Sequence, residues 1–331
     1  TWKDFKKSEV PSVTCCAQLY RLSDGRAALL WNHPPRYQPN HKSARDELFI
    51  AFSSDDCKSW SQPEVIAARY RTAIDKPDER RVSYPYLYER KPGELWITTM
   101  QGGLRMRIRT EDIGKAEFPL PPIVVMFGDS TTAYRPNAIK QVYSDRVYAQ
   151  LIKDGSPLVV ANRGIGGNTT KMARARFEKD VLSLKPKVVV IQFGINDAAV
   201  DVWKDPPATT PRVSREDYVA NLRWMIEQLR NVGAKPILMT PNPLRWTGRM
   251  KQMYGRLPYD VNDPEGFEKP HLRAYADAMR ALASDMQVPL IDIHAAYTGK
   301  DAEKLLLDGV HPNDAGQQLV AEKLLPVITA Q

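Results

Sequence analysis

The chain has 331 residues, more than one hydrophobic core usually organises, and 43% of them are hydrophobic, so a globular protein of two domains is expected. Its net charge of +8 is shared evenly by the residues before and after Pro122, whereas a nucleic-acid module gathers basic residues on one element. No apolar run reaches the roughly eighteen residues of a membrane span, so a soluble protein without a membrane partner is expected, its compartment left open.

Up to residue 118 the chain reads as strands. "SVTCCAQLYRLSDGRAALLWN" is two strand-like runs around Ser-Asp-Gly, and "VSYPYLYERKPGELWITT" is two more around Lys-Pro-Gly, the pattern of hairpins. With "ELFIAF", "PEVIAA" and "LRMRIR" this gives about seven short strands and hardly any helical period, hence an all-β module. Cys15, Cys16 and Cys57 are an odd set with two adjacent members, which describes neither a disulfide framework nor a metal site; buried structural thiols are expected. "KAEFPLPP" is a proline-rich junction, and the boundary is placed near residue 118.

Within this module "SSDDCKSWSQPEVIA" resembles the Asp-box of sialidases and related β-propellers, with Ser53, Asp55 and Trp60 in register and Cys57 where the motif has glycine. The resemblance implies a hairpin turn tied by Ser and Asp with Trp packed between strands, and it carries no catalytic residue over. A propeller of that kind has six blades of about four strands, and seven strands make about two. Two open blades leave edges and an apolar face to cover, so a homotrimer completing one propeller through this segment is expected. Packing of the segment against its own second domain is the alternative.

From residue 122 onward short apolar runs alternate with amphipathic stretches. "PIVVMF", "PLVVA", "KVVVIQF", "KPILMT" and "VPLIDI" are near-continuous and rich in β-branched residues, as strands buried on both faces of a parallel sheet are. In "SREDYVANLRWMIEQLRNVG" Tyr218, Leu222, Met225 and Leu229 recur at helical steps, with Ser214 as N-cap and Gly233 as the stop. Five such strands predict a doubly wound α/β domain of flavodoxin-like type over 119–331, with ligands at the carboxyl ends of the strands.

Four turns at those ends carry chemistry-bearing residues. "FGDSTT" puts Ser130 after the first strand, where capping is the ordinary role of a serine. "ANRGIGGNTT" after the second offers an exposed backbone N–H to an anionic oxygen, and "FGINDAAV" after the third offers the amide of Asn196, which could equally cap a helix. "LLLDGVHPNDAG" places Asp308 three residues before His311, so that a carboxylate can hold one imidazole nitrogen while the other faces outward. His294 is the nearest competitor for the role of base.

Together, in this order, these blocks resemble the SGNH hydrolases, the GDSL-type esterases and lipases, over residues 122–331. The resemblance implies Ser130 as nucleophile and His311 with Asp308 as the rest of a triad. It implies oxyanion donors in the N–H of Ser130, the N–H of Gly167 (Gly164 being the lesser alternative) and the amide of Asn196. Asp129 is expected to support the turn through hydrogen bonds. No cofactor and no metal is called for. The long connection 244–271 contributes Arg245, Trp246 and Tyr254 as candidates for shaping a substrate pocket. The expectation is an esterase acting on short acyl groups, acetylated carbohydrate foremost; the alternative is a carbohydrate-binding or scaffold protein with a vestigial site.

Overall fold

Strands form on alternating runs such as RMRIR and on unbroken apolar runs such as IVVMFG, and the computed structural model describes residues 9–34, 36, 45–69, 82–135, 138–297 and 302–330. The chain divides into two units, Thr1–Pro121 together with Ile152–Pro157, and Pro122–Leu151 together with Leu158–Gln331.

The first unit holds two antiparallel meanders. β1 (Gln18–Arg21), β2 (Ala27–Trp31), β3 (Glu47–Ser53) and β4 (Glu64–Ala68) pair in sequence order. β5 (Ser83–Lys91), β6 (Glu94–Gln101) and β7 (Arg105–Arg109) make a second sheet. Leu30, Leu48 and Ile50 of the first sheet share an apolar core with Leu87, Leu95 and Ile97 of the second. The described residues of this unit are organised as β-sheets.

The β3–β4 turn is tied as an Asp-box would be. The Ser53 hydroxyl accepts the Cys57 N–H at 2.9 Å and donates to Asp55 at 2.8 Å, while Asp55 accepts from the N–H and hydroxyl of Ser59. Cys57 has φ +66°, the left-handed conformation that favours glycine, so the thiol occupies a position suited to the residue it replaces. The three cysteines are not buried: Cys16 is exposed, and Cys15 and Cys57 are partly so, because a loop before β1 and a turn tip hold them rather than a strand interior.

The second unit is a five-stranded parallel sheet built from β8 (Ile123–Gly128), β9 (Val159–Gly164), β10 (Val188–Gln192), β11 (Lys235–Met239) and β12 (Leu290–Ile291), in the order β12-β11-β10-β8-β9. That is the flavodoxin-like order, with its switch point between β8 and β10. Both faces are covered: every residue of β8 and β10 is buried, Val124 and Val190 packing with Leu151 and Leu324, as their β-branched runs require. The helix Arg215–Asn231 begins at Ser214, whose hydroxyl accepts the Asp217 N–H, and ends before Gly233 at φ +75°. No helix among the described residues is long and apolar enough to cross a membrane.

Candidate active site

β8 stops at Gly128 because the chain folds back there. A Cβ at Gly128 would overlap the Thr132 side chain, which lies over the strand end. The turn is then fixed from beneath. Asp129 is fully buried, and its Oδ1 accepts the Thr131 N–H at 2.8 Å and meets the Thr131 hydroxyl at 2.9 Å. The Thr131 and Thr132 hydroxyls both reach Gln192 Oε1, at 2.6 and 3.2 Å, so the turn is bonded to the end of the neighbouring strand β10. The consequence is a serine presented at the carboxyl edge of the sheet on a turn with little freedom.

His311 Nε2 lies 2.9 Å from Ser130 Oγ, and His311 Nδ1 lies 2.8 Å from Asp308 Oδ2. The loop that carries them is held at several points. Asp308 Oδ1 accepts the N–H groups of Val310 and His311, at 3.1 and 2.9 Å. Gly309 has φ +83° with no room for a Cβ against the Arg245 carbonyl, and its own carbonyl accepts the Arg245 N–H at 2.9 Å. Burial alone would raise the Asp308 pKa, but the hydrogen bonds from the ring and N–H of His311 outweigh it and hold the carboxyl well below its usual range. An ionised carboxylate therefore faces Nδ1, which keeps the proton on that nitrogen and leaves Nε2 as acceptor toward the serine.

The remaining predicted donors converge on the same cavity, which measures about 370 Å³ and is lined by Ser130, Gly167, Asn196 and His311 among others. Gly167 has φ +77° at the tip of the turn after β9, and among the described residues neither its N–H nor that of Ser130 has an acceptor. Gly164 is unavailable, since its N–H donates to Asn162 Oδ1 at 2.9 Å and its Cα packs against the backbone of Ala133. Asn196 sits in the first turn of the helix Ile195–Ala198, but Gly194 is the N-cap and no side chain caps it. Instead the Asn196 amide donates one N–H to the Asn168 carbonyl at 3.1 Å and accepts from Arg212 Nη1 at 3.1 Å. Its orientation is thereby fixed, and among the described residues its second amide hydrogen meets no acceptor. Arg212 is in turn held by Asp201 through Nε and Nη2, at 2.9 and 2.6 Å.

Of the three loop candidates, Tyr254 lines the cavity with Tyr259, Phe267 and Met250. Arg245 and Trp246 stand behind the wall. Arg245 pairs with Glu268 at 3.2 Å, and Trp246 stacks on Phe267 at 4.7 Å while its indole N–H is shared by the carbonyls of Asp260 and Asp263. His294 is buried 3.7 Å from Glu268 and does not line the cavity. Among the described residues no group of His, Cys, Asp and Glu is arranged to hold a metal ion.

Two buried carboxylates underlie the site. Burial pushes both Asp129 and Asp197 up to about 6, the Asp129 charge adding a smaller upward push on Asp197. Asp197 Oδ1 accepts the N–H and hydroxyl of Thr170, tying the "GIND" turn to the helix Thr170–Ala175. Because the folded pKa lies above the unfolded one, wild-type stability falls as pH rises from about 4 to about 6. The Asp197→Asn variant lacks that loss. Its stability relative to wild type is therefore expected to increase across that interval by up to about 3 kcal/mol, given about 1.4 kcal/mol per unit. Urea denaturation at pH 4.5 and pH 7.5 checks this; a difference independent of pH would overturn it.

Comparison with known proteins adds to this geometry. Residues 126–319 match the model of the GDSL-like lipase/acylhydrolase family. Over 214 residues the chain is 33% identical to lipoprotein YqeF of Bacillus subtilis, covering 60% of this chain and 86% of that protein. It is 30% identical to an acetylxylan esterase of Geobacillus stearothermophilus over 178 residues, 50% of this chain and 70% of the relative. The crystal structure of a lipase/acylhydrolase from Enterococcus faecalis superposes with a TM-score of 0.50 at 26% identity, over 63% of this chain and 96% of that one. The family match spans more than half of the chain and contains Ser130, Gly167, Asn196, Asp308 and His311, and the chain belongs to the GDSL-like lipase/acylhydrolase family.

Proposed function

We propose that the chain is a serine esterase hydrolysing short acyl esters, with O-acetylated carbohydrate as the favoured class. The observation that carries this reading is the continuous line from Asp308 through His311 to Ser130, ending in a cavity that also holds Gly167 and Asn196. In the proposed reaction His311 Nε2 takes the hydroxyl proton as Ser130 Oγ bonds the carbonyl carbon. The carbonyl oxygen gains the electron pair and is held by the N–H groups of Ser130 and Gly167 and by the Asn196 amide, each donor contributing about 3 kcal/mol. The C–O bond to the alcohol then breaks and His311 returns the proton to the leaving oxygen. Water repeats the sequence on the acyl-enzyme and releases the acid.

Two observations favour a sugar ester. The cavity wall includes the half-buried aromatic side chain of Tyr254, of the kind sugar rings pack against, and a relative carries the name acetylxylan esterase. A p-nitrophenyl ester series is expected to give the highest kcat/KM at acetyl to butyryl and a fall of at least about tenfold by octanoyl; kcat/KM that rises through decanoyl would replace this reading with a lipase. Acetylated xylan and other acetylated glycans then locate the alcohol. We further propose that the first unit is a partial propeller that assembles three copies; the Asp-box bonding of Ser53 and Asp55 supports it.

A further inference from the structure

The cavity wall carries two arginines and, among the described residues, no carboxylate. The two are not equivalent. Arg212 has its guanidinium matched to Asp201 at 2.6 Å. Arg146, Arg176, Arg223, Arg245, Arg273 and Arg280 of this unit each meet an acid within 4 Å. Arg135 does not. Its Nε donates to the Ser130 carbonyl at 3.2 Å, and no described residue receives a hydrogen bond from its two Nη groups. It is partly buried at the cavity wall five residues after Ser130, where desolvation lowers its pKa. Asp308 and Asp129 act on it only through space.

We propose that Arg135 is a specificity-determining residue that receives a carboxylate borne by the ester substrate. The chemistry suits the residue: a guanidinium pinned at Nε keeps its planar fork in one orientation, and its Nη groups can donate to the two oxygens of a carboxylate. Asp201 offsets the charge of Arg212, which leaves the Arg135 guanidinium as the cation of the described wall open to an anionic ligand. This inference rests on the ester-hydrolase reading for the identity of the bound molecule, and it narrows the substrate to esters of acidic sugars or half-esters of diacids.

The test compares matched pairs in the Ser130→Ala variant, which binds without turnover. One pair is a mono-O-acetylated methyl glucuronoside and its C6 carboxamide, with the anion on the alcohol side. The other is methyl glucoside monosuccinate and its succinamate amide, with the anion on the acyl side. Calorimetry is expected to show the acid bound at least about tenfold more tightly than the amide in one pair, the range of a charge-assisted hydrogen bond. Adding Arg135→Gln should bring that ratio to about one, and Arg135→Lys should retain part of it. An acid-to-amide ratio near one in both pairs, or a ratio that Arg135→Gln leaves unchanged, overturns the assignment. A general loss of affinity with the ratio intact would make Arg135 only a brace for Ser130. Failure of the esterase reading shows separately, as wild-type protein leaving every ester intact while the binding ratio is still measured.

Discussion

Ser130→Ala is expected to lower kcat on p-nitrophenyl acetate by about 10⁴- to 10⁶-fold, because Ser130 Oγ is the hydroxyl that the His311 ring meets in the cavity. The Oγ has His311 Nε2 as its hydrogen-bond partner at 2.9 Å, so its removal leaves the folded core untouched and the circular dichroism spectrum should not change. Donors at Ser130, Gly167 and Asn196 would remain and could still polarise a bound carbonyl toward water, which sets a small residual rate above buffer. A variant retaining more than about 1% of wild-type turnover, with contaminating esterase excluded, would show that Ser130 is not the nucleophile.

Asp308→Asn is expected to cost about 10³- to 10⁴-fold in kcat with little change in KM, although the substitution is nearly isosteric. The reason is tautomeric. Asp308 presents Oδ2 to His311 Nδ1 as an acceptor at 2.8 Å, and an asparagine amide placed there would donate instead. The imidazole proton then moves to Nε2, the nitrogen that must accept from Ser130. Oδ1 accepts the N–H groups of Val310 and His311, a task the amide oxygen can keep, so the loop should hold its shape. The measurement is kcat and KM across pH 6–9 alongside the melting temperature; an unchanged kcat, or a fall explained by loss of folding, would count against the assignment.

Much of the second unit was legible because its strands are buried on both faces. Val188, Val189 and Val190 or Ile123, Val124 and Val125 have no reading as surface helix, and they form the central strands. β12 was overread: only Leu290 and Ile291 pair, since Asp292 leaves the ladder to hold Arg280. The site residues were legible where a turn at a strand end left each side chain few roles. Arg212 and Asp197 were not singled out, because their contacts with Asp201 and Thr170 join separate segments, and Arg135 was not, because no spacing encodes its half-buried place at the cavity wall. Asp197 alone had a signal, its place beside Asn196 at a strand end. Trp246 looked like a pocket residue because an aromatic in a long loop is often one, whereas its stacking on Phe267 is a tertiary fact. The cysteines went wrong for a related reason: burial frequency by residue type says nothing of a turn whose backbone requires φ > 0.

The Asn196 amide is held from both ends, by the Asn168 carbonyl and by an arginine that is itself locked to Asp201. The segments after β9 and β10 and the loop carrying Arg212 thus close on one another when the chain folds. If, as proposed, the Asn196 amide receives a negative oxygen, it is aligned for it once, during folding, and need not be realigned in each reaction cycle. Heat or denaturant should therefore abolish the capacity for catalysis together with the fold of the second unit rather than before it.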